Sequence, residues 1–455
     1  MKSLNSGAFG ICVAVAMLAG CGPSTNSMPL ENPGNTSASF LSRPPARVAP
    51  SRSRYTENVL YRFRGKNGSK PYAGLIFDNK GALYGTTSEG GAYGWGTVFR
   101  LTPSASGYTE SFLYSFTGYS DGSAPQAGLI FDKEGALYGT TTYGGSNKGG
   151  TVFKLVPSGS GYTERVLYAF CAKSNCTDGN APLAGLVFGK DGALYGTTAS
   201  GGGAMLGVCA NYSYGCGTVF KLTPSGSGYS ESVLYAFCVG PSCASGASPQ
   251  SGVVFGRDGA LYGTTAILCD SDPNNGACGT VFKLTPSGSG YAETTLYTFR
   301  CHPWPNCPSG EEPLGTLIFE KGSGGLYGTT YNGGTYGNGT VFKLTPSGSG
   351  YTESVLHSFT GGADGDNPGA GLTFGRNGVL YGTTTEGGRK RLAQGGTVFK
   401  LTPSGSGYTE SVLHSFGHAN PYASLILDKE GALYGTASSS GRQNEGDGYV
   451  FKVTP

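Results

Sequence analysis

Charged residues, methionine, histidine and tryptophan are all scarce in this sequence of 455 residues. Only 13% of the residues are charged, and the net charge of +3 is too small to indicate a nucleic-acid partner. A hydrophobic period of 3.6 residues is absent, as are a Walker phosphate loop, a Rossmann strand–turn–helix motif and a nucleophile elbow in a helical context. Glycine is abundant with 81 residues, and tyrosine and phenylalanine number 29 and 23. This composition is typical of an exported β protein.

The apolar run near the amino terminus, residues 8–18, is too short to span a bilayer, which needs roughly 20 apolar residues. Lys2 precedes it and Leu-Ala-Gly-Cys21 ends it, an order that resembles a bacterial lipoprotein signal with its lipobox. The resemblance implies a signal peptide over 1–20, lipidation of Cys21 and, from the following Gly22, an outer-membrane address. An ordinary signal peptide with an incidental cysteine is the alternative. Residues 21–54 are then predicted to be a disordered tether, and 55–455 the folded part.

Three short motifs each occur seven times between residues 55 and 455. The motif Gly-Thr-Val-Phe, loosened to Gly-Tyr-Val-Phe in the last copy, starts at Gly96, Gly150, Gly217, Gly279, Gly339, Gly396 and Gly448. Leu-Tyr-Gly-Thr starts at Leu83, Leu137, Leu194, Leu261, Leu326, Leu380 and Leu433. Leu-Tyr/His-x-Phe ends at Phe63, Phe116, Phe170, Phe237, Phe299, Phe359 and Phe416. A sevenfold internal repeat of about 50 residues is typical of a radial array.

Each unit contains four apolar runs of strand length, rich in β-branched and aromatic residues. In the second unit the predicted strands are 127–132, 136–141, 150–156 and 162–170. Four-stranded units stacked radially form a β-propeller. A β-solenoid, one alternative, usually has shorter coils. Separate four-stranded domains, the other alternative, would leave both faces of each sheet exposed to solvent. We therefore predict an all-β, seven-bladed β-propeller with four antiparallel strands in each blade.

The two ends of the repeat region predict how the ring closes. The region opens with a fourth-strand sequence, residues 55–63, and ends with a third-strand sequence, residues 448–453. Seven complete blades result only if the first strand completes the last blade, so these two segments are predicted to pair antiparallel.

The repeated sequence of the units resembles the GloVer tandem-repeat family of exported bacterial proteins. An example is Gly-Ala-Leu-Tyr-Gly-Thr-Thr followed by Gly-Thr-Val-Phe-Lys-Leu-Thr-Pro-Ser-Gly-Ser-Gly-Tyr. The resemblance covers residues 55–455. It implies a propeller-like fold and no particular reaction, so no catalytic residues follow from it.

Two residue types recur at equivalent places in the units. The tyrosine of Leu-Tyr-Gly-Thr is predicted to be a packing residue whose hydroxyl is hydrogen-bonded. A glutamate lies on the predicted outermost strand of every unit, where a charge would discourage edge-to-edge pairing. These glutamates are Glu57, Glu110, Glu164, Glu231, Glu293, Glu353 and Glu410.

The connections after the second and fourth strands open on one face and vary in length, so this face is the expected place for function. Ten cysteines fall there as close pairs, which in an exported chain indicates disulfides, with zinc binding as the alternative. The predicted pairs are Cys171/Cys176, Cys209/Cys216, Cys238/Cys243, Cys269/Cys278 and Cys301/Cys307.

The same loops, from about residue 171 to 315, carry aromatic and acidic residues suited to a sugar or peptide ligand, with ordinary solvated loop residues as the alternative. The predicted ligand-binding residues are Tyr212, Tyr214, Asp270, Asp272, His302, Trp304 and Glu311. The segment around Asp270 and Asp272 is similar to a calcium loop, but its glycine comes one place late and its twelfth position is Val281. Calcium is therefore an alternative, and no other cofactor, resident metal ion or catalytic residue is assigned.

The sequence favours a monomeric, lipid-anchored binding protein of the cell envelope, attached to the membrane through its lipid, with a polysaccharide or protein ligand and no nucleic acid. One competing hypothesis is a propeller glycan hydrolase or lyase that uses His302, Glu311 and Asp270. The other is a structural envelope protein without a small ligand.

Overall fold

A computed structural model describes residues 55–159, 161–203, 215–226, 228–238, 243–267, 276–288, 290–301, 307–348, 350–388, 395–439 and 447–455. The chain from Arg52 to Pro455 forms one compact unit. Within the described ranges, no helix has the length and apolar character that a membrane crossing requires.

Seven antiparallel sheets make up the described part of the chain. Strand β1 (Thr56–Arg62) comes first. Blade 1 follows with β2 (Ile76–Phe77), β3 (Leu83–Thr87), β4 (Thr97–Ser104) and β5 (Gly107–Ser115). Blade 2 contains β6 (Ile130–Phe131), β7 (Leu137–Thr141), β8 (Thr151–Ser158) and β9 (Gly161–Ala169). Blade 3 contains β10 (Val187–Phe188), β11 (Leu194–Thr198), β12 (Thr218–Ser225) and β13 (Gly228–Ala236).

Blades 4 to 7 repeat the pattern. Blade 4 contains β14 (Val254–Phe255), β15 (Leu261–Thr265), β16 (Gly276–Ser287) and β17 (Gly290–Cys301). Blade 5 contains β18 (Ile318–Phe319), β19 (Leu326–Thr330), β20 (Thr340–Ser347) and β21 (Gly350–Ser358). Blade 6 contains β22 (Thr373–Phe374), β23 (Leu380–Thr384), β24 (Thr397–Ser404) and β25 (Gly407–Ser415). Blade 7 contains β26 (Ala419–Asn420), β27 (Ile426–Leu427), β28 (Leu433–Ser439) and β29 (Tyr449–Thr454). Two short 3-10 turns span Ser174–Cys176 and Arg376–Gly378.

The ring is closed by the first strand, as predicted. Strand β1 pairs antiparallel with β29, in a register that runs from Thr56 opposite Thr454 to Arg62 opposite Tyr449. Beyond the ladder, the Phe63 amide donates to the Gly448 carbonyl at 2.9 Å. We call the β1–β29 pairing the seam. With β27, β28 and β29, strand β1 completes the four-strand pattern of blade 7, and the two-residue strand β26 is an addition that pairs with the end of β28. The predicted seven-bladed propeller is confirmed.

The core lies between neighbouring blades. A buried phenylalanine at or near the end of each fourth strand packs edge-on or tilted against a buried phenylalanine in the third strand of the next blade. Phe170 and Phe220, for example, meet edge-on with ring centroids 4.9 Å apart. The pair Phe63–Phe99, at 5.0 Å, makes the same contact between blade 7 and blade 1. The glycine of Leu-Tyr-Gly-Thr makes room for the third-strand ring, because a Cβ on Gly196 would lie 2.6 Å from Cζ of Phe220.

The innermost strands are shorter than predicted. In blade 2 only Ile130 and Phe131 pair with the second strand, whereas residues 127–132 were expected to form the strand. The reason is a contact between blades, in which the Thr86 hydroxyl donates to the carbonyl of Ala127 at 3.1 Å. Equivalent threonine bonds link every pair of neighbouring blades, including Thr436 to Ala73 at 2.9 Å across the ring closure. Backbone carbonyls of the inner segments therefore accept hydrogen bonds from the neighbouring blade, and the ladder between the first and second strands stays short.

The repeated tyrosine plays the predicted packing role. Tyr138 is buried, and its hydroxyl donates to Asp132 at 3.0 Å in the turn between the first and second strands. Lys154 from the third strand lies over the Tyr138 ring and 3.2 Å from Asp132. Gly135 ends this turn with φ of 85°, a conformation that favours glycine.

The predicted role of the seven glutamates in protecting sheet edges is wrong. Their side chains turn towards the neighbouring blade, as shown by Glu231, whose side chain is 1% exposed and lies 2.8 Å from Lys173 of the preceding connection. Six of the seven carboxylates have an Oε1 atom that is buried and accepts no hydrogen bond from the described residues. Burial raises the pKa of Glu110, Glu164, Glu353 and Glu410 to about 7, and raises those of the other three.

Candidate functional site on the loop face

The described parts of the connections after the second and fourth strands lie on one side of the propeller. Because neighbouring strands are antiparallel, the second and fourth strands of a blade run in the same direction and end on the same side. Backbone bridges join each blade-to-blade connection to the second-to-third connection of the following blade, such as Ser123 with Tyr143. We call this surface the loop face. Its described residues are 64–75, 88–96, 116–129, 142–150, 170–186, 199–203, 215–217, 237–238, 243–253, 266–267, 307–317, 331–339, 359–372, 385–388, 395–396, 416–425 and 447–448.

Disulfides stiffen two connections of the loop face as predicted. Cys171 is bonded to Cys176, and Cys301 is bonded to Cys307. Cys216 is also disulfide-bonded, and its predicted partner Cys209 lies outside the described residues. These bonds indicate an exported, non-cytoplasmic protein, since disulfides persist in oxidising compartments.

The two remaining predicted pairs stay predictions. Cys238 and Cys243 are both buried at the start of one connection, and the Cys238 thiol donates to the Gly246 carbonyl at 3.5 Å. Cys269 lies outside the described residues. Its predicted partner Cys278 has its Sγ 2.7 Å from that of Cys301.

One predicted binding residue, Glu311, lies in the described part of the loop face. Its carboxylate is 3.5 Å from Sγ of both Cys301 and Cys307, so it belongs to the cysteine cluster. Burial raises the pKa of Glu311, and burial together with this carboxylate raises the pKa of the Cys278 thiol to about 12. The other predicted binding residues are outside the described residues: Tyr212, Tyr214, Asp270, Asp272, His302 and Trp304.

A set of exposed aromatic side chains on the loop face was missed by the sequence analysis. The rings belong to Tyr93, Trp95, Tyr119, Tyr143, Tyr336 and Tyr422, with exposed fractions from 40% to 79%. They occur in blades that lack the cysteine-rich loops on which the prediction was based. The sequence contains a signal for this set, because Trp95 precedes the repeated Gly-Thr-Val-Phe where the other units have glycine, cysteine, asparagine or, in the last unit, aspartate.

Three of these rings lie in two neighbouring connections, one between β3 and β4 of blade 1 and the other between blades 1 and 2. Trp95 lies against Gly118, where a Cβ would come within 2.6 Å of the indole, and Tyr119 follows directly. Tyr119 is 79% exposed, Trp95 52% and Tyr93 61%. The Tyr119 carbonyl accepts from the Gly145 amide at 2.7 Å, which fixes this loop to the next blade. We call Tyr93, Trp95 and Tyr119 the aromatic patch.

A second group combines aromatic rings with carboxylates near blades 5 to 7. Tyr72 and Tyr422 meet edge-on with ring centroids 5.2 Å apart. Asp366 and Glu386 are joined by paired backbone hydrogen bonds. Burial and the nearby Glu386 carboxylate raise the pKa of Asp366 to about 6. This group can hold a proton near neutral pH, a property that acid–base chemistry requires.

Comparisons with known proteins support the repeat and the fold. The model of the Gloeobacter/Verrucomicrobia repeat family matches residues 47–266 and 267–455. A search of curated proteins found no match.

Among solved structures, the extracellular domain of a candidate one-component system from B. thetaiotaomicron is 9% identical, with a TM-score of 0.51. That alignment covers 87% of this chain and 39% of the other. A candidate 6-phosphogluconolactonase from Bacteroides uniformis is 16% identical, with a TM-score of 0.46, and the alignment covers 80% of this chain and 89% of that one. A gluconolactonase from Xanthomonas campestris is 12% identical, with a TM-score of 0.38 and coverages of 88% and 95%. At 9% identity, the likeness to the extracellular domain concerns the fold alone.

Proposed function

Because this chain belongs to the Gloeobacter/Verrucomicrobia repeat family and folds as a closed propeller, we propose that it is an exported binding protein whose loop face takes a polysaccharide. The observation that carries the proposal is the placement of its exposed rings. Every tyrosine and tryptophan among the strongly exposed large side chains of the described residues lies on the loop face. The other strongly exposed apolar side chains, Phe112, Val166 and Val355, occupy one equivalent position on the outer strands.

Tyrosine and tryptophan suit a sugar ligand because each ring offers an apolar face and a polar tip. The exposed rings are distributed over connections of blades 1, 2, 5 and 7. A tight protein interface would favour one continuous apolar surface instead. The aromatic patch is the best candidate for the primary contact, since all three residues are more than half exposed and the carbonyls of Trp95 and Tyr119 accept hydrogen bonds from neighbouring connections. The protein acts as a monomer in this proposal.

The attachment of the protein is part of the proposal. We propose that Cys21 is lipidated and holds the protein at the outer membrane, with the propeller outside the cytoplasm. Metabolic labelling with a fatty-acid analogue tests this: we expect label on the wild-type chain and none on Cys21→Ala. Equal labelling of both chains would contradict the lipid anchor and leave the binding proposal untouched.

Polysaccharide binding is tested on a glycan array and by affinity electrophoresis, using the full mature chain with its disulfides intact, with and without calcium. We expect Trp95→Ala and Tyr119→Ala to weaken the retained signal at least about tenfold, the effect of losing a central aromatic contact. Phe112→Ala is the matched control, because Phe112 is 47% exposed on an outer strand away from the loop face. A blank array, or equal losses in all three variants, would reject the proposal and favour a protein ligand or a structural role.

A second candidate function is cleavage of a glycan by a hydrolase or lyase activity, and one observation favours it. Asp366 lies beside Glu386 with a pKa raised to about 6, so a proton donor and a carboxylate base could act together. Of the residues that the sequence suggested for this chemistry, Glu311 lies in the cysteine cluster, while His302 and Asp270 lie outside the described residues. Product release from polysaccharides by the wild type, lost in Asp366→Asn with binding retained, would establish the enzyme.

A further inference from the structure

The side of the propeller opposite the loop face is built from short turns. The segments between first and second strands are 78–82, 132–136, 189–193, 256–260, 320–325, 375–379 and 428–432. The turns between third and fourth strands lie on the same side and contain no charged residue in the sequence. We call the seven segments, together with the basic residue of each third strand, the base face.

Each of the seven segments presents one basic side chain to solvent. These residues are Lys80, Lys133, Lys190, Arg257, Lys321, Arg376 and Lys429, and all are exposed. None of them forms an ion pair with another described residue. The base face therefore presents a set of positive charges that are open to an external partner.

Most acidic residues of the same segments are engaged by a second set of cations. In blade 2, Lys154 of the third strand lies 3.2 Å from Asp132, and in blade 3 Lys221 lies 2.7 Å from Asp191. Five of the seven blades have this ion pair, with distances between 2.7 and 3.7 Å. The third-strand cations therefore offset the acidic residues, and the exposed basic residues remain in excess.

The charge of the propeller is divided unevenly between its two sides. Residues 55–455 contain 26 lysines and arginines against 27 aspartates and glutamates, so the propeller as a whole is close to neutral. The base face holds 14 of the basic residues, seven in the segments and seven in the third strands, and 8 of the acidic ones. The remainder has 12 basic and 19 acidic residues. The base face is therefore positive by six charges and the remainder negative by seven.

This division is wide compared with the range of electrostatic forces in salt solution. A third strand of eight residues, such as β8, is about 27 Å long, whereas the Debye length at physiological ionic strength is about 8 Å. Negative charge at the loop end of a blade therefore does not cancel the attraction between the base face and an anionic surface.

The base face is also where the preceding chain joins the propeller. Strand β1 is a fourth strand, and fourth strands begin on this side, so Thr56 and its partner Thr454 lie here. Residues 32–54 lead into this point and contain four arginines and no acidic residue. The chain between Cys21 and the base face is therefore basic as well.

We propose that the base face docks on the anionic headgroups of the membrane that holds the protein, an inference that rests on the proposed lipidation of Cys21. The acyl chains keep the protein at the bilayer, but a single attachment point does not determine which face is turned towards it. Headgroup phosphates attract the base face and repel the acidic remainder of the propeller. The loop face then points away from the membrane, towards its polysaccharide.

The test uses the mature chain with Cys21→Ser, which carries no lipid, so that binding reports the protein surface alone. Flotation is measured with vesicles of phosphatidylethanolamine and phosphatidylglycerol, and with vesicles in which phosphatidylcholine replaces the phosphatidylglycerol. We expect binding to the anionic vesicles that falls as salt is added, and no binding to the neutral ones.

A triple variant removes positive charge from the base face. Each basic residue close to an anionic surface contributes about fivefold in affinity, so Lys80→Gln/Lys190→Gln/Lys321→Gln should weaken vesicle binding by about a hundredfold. Its glycan-array signal should equal that of the parent chain, which shows that the variant is folded. Vesicle binding involves neither a glycan nor the lipid, so failure of this inference is distinguishable from failure of the proposed function.

The matched control removes the same charge from the loop face. Arg64, Lys66 and Lys148 are exposed there, and Arg64→Gln/Lys66→Gln/Lys148→Gln should bind the anionic vesicles as the parent chain does. Equal losses in the two triple variants, or equal binding to anionic and neutral vesicles, would overturn the inference.

Discussion

The seven inward-turned glutamates make the stability of the propeller depend on pH in an unusual direction. A carboxyl whose pKa is higher in the folded than in the unfolded protein binds its proton more tightly when folded. Its contribution is therefore fully present below the unfolded pKa, which is 4.5 here, and is lost as the pH rises through the folded pKa. For the four glutamates raised to about 7, the loss falls between about pH 4.5 and pH 7.

The size of the effect follows from the shifts. Each pKa unit corresponds to about 1.4 kcal/mol, but these carboxyl groups are in partial contact with water, which reduces the loss to about 1 kcal/mol each. Four such groups give about 4 kcal/mol. With an unfolding entropy of roughly 2 cal/mol/K per residue over some 400 residues, the melting temperature should fall by about 5 °C. We expect this fall between about pH 5 and pH 7.5 in calorimetry or circular dichroism.

Amide variants isolate the cause. The double variant Glu110→Gln/Glu353→Gln is uncharged at both positions at any pH, and its two sites lie in blades 1 and 5, far enough apart to act independently. We expect it to melt higher than the wild type at about pH 7.5, with little difference at about pH 5. Glu134→Gln, on an exposed turn, is the control and should change neither value. A wild-type melting temperature that is constant or rises over this pH range would refute the reasoning.

Three further variants test contacts between and within blades. Gly196→Ala should destabilise the protein by about 2 kcal/mol, because the new Cβ meets the buried Phe220 ring. Gly161→Ala is the control and should not destabilise it, because no atom lies near the new Cβ. Thermal unfolding measures both variants. Thr197→Val removes the 2.8 Å bond to the Ser251 carbonyl and should cost about 1 kcal/mol or more in denaturant unfolding, against no loss for the exposed Thr223→Val. Replacing Cys171 and Cys176 by serine should cost about 2 kcal/mol, and a reducing agent should then change the midpoint less than in the wild type.

The repeat carried most of the information about the fold. Seven copies of three motifs predicted the number of blades, and the mismatch between the first and last units predicted the seam. Both inferences depend on short motifs and on the number of their copies, which can be read directly from the sequence. The burial of Glu231 could not be read in this way, since strand periodicity does not say how close the neighbouring blade lies.

The site was less predictable than the fold. The close spacing of Cys171 and Cys176 identified that disulfide, because the two residues belong to one short connection. The approach of Cys278 to Cys301 depends on a bulge that shifts the pairing register between β16 and β17. The spacing of the cysteines along the chain does not reveal this shift. Trp95 was not predicted as a binding residue, because its loop contains no cysteine pair, although its position in the repeat is distinctive.

The seam also determines how the ring responds to mechanical force. Thr56 and Thr454 are partners at the same end of the β1–β29 pair, so the two ends of the propeller chain leave side by side. Tension that pulls these ends apart acts on one ladder hydrogen bond after another, as in opening a zipper, and never loads the whole pair in shear. The propeller is therefore least resistant to force applied through its own ends, and a pull there opens blade 7 before any other blade is strained.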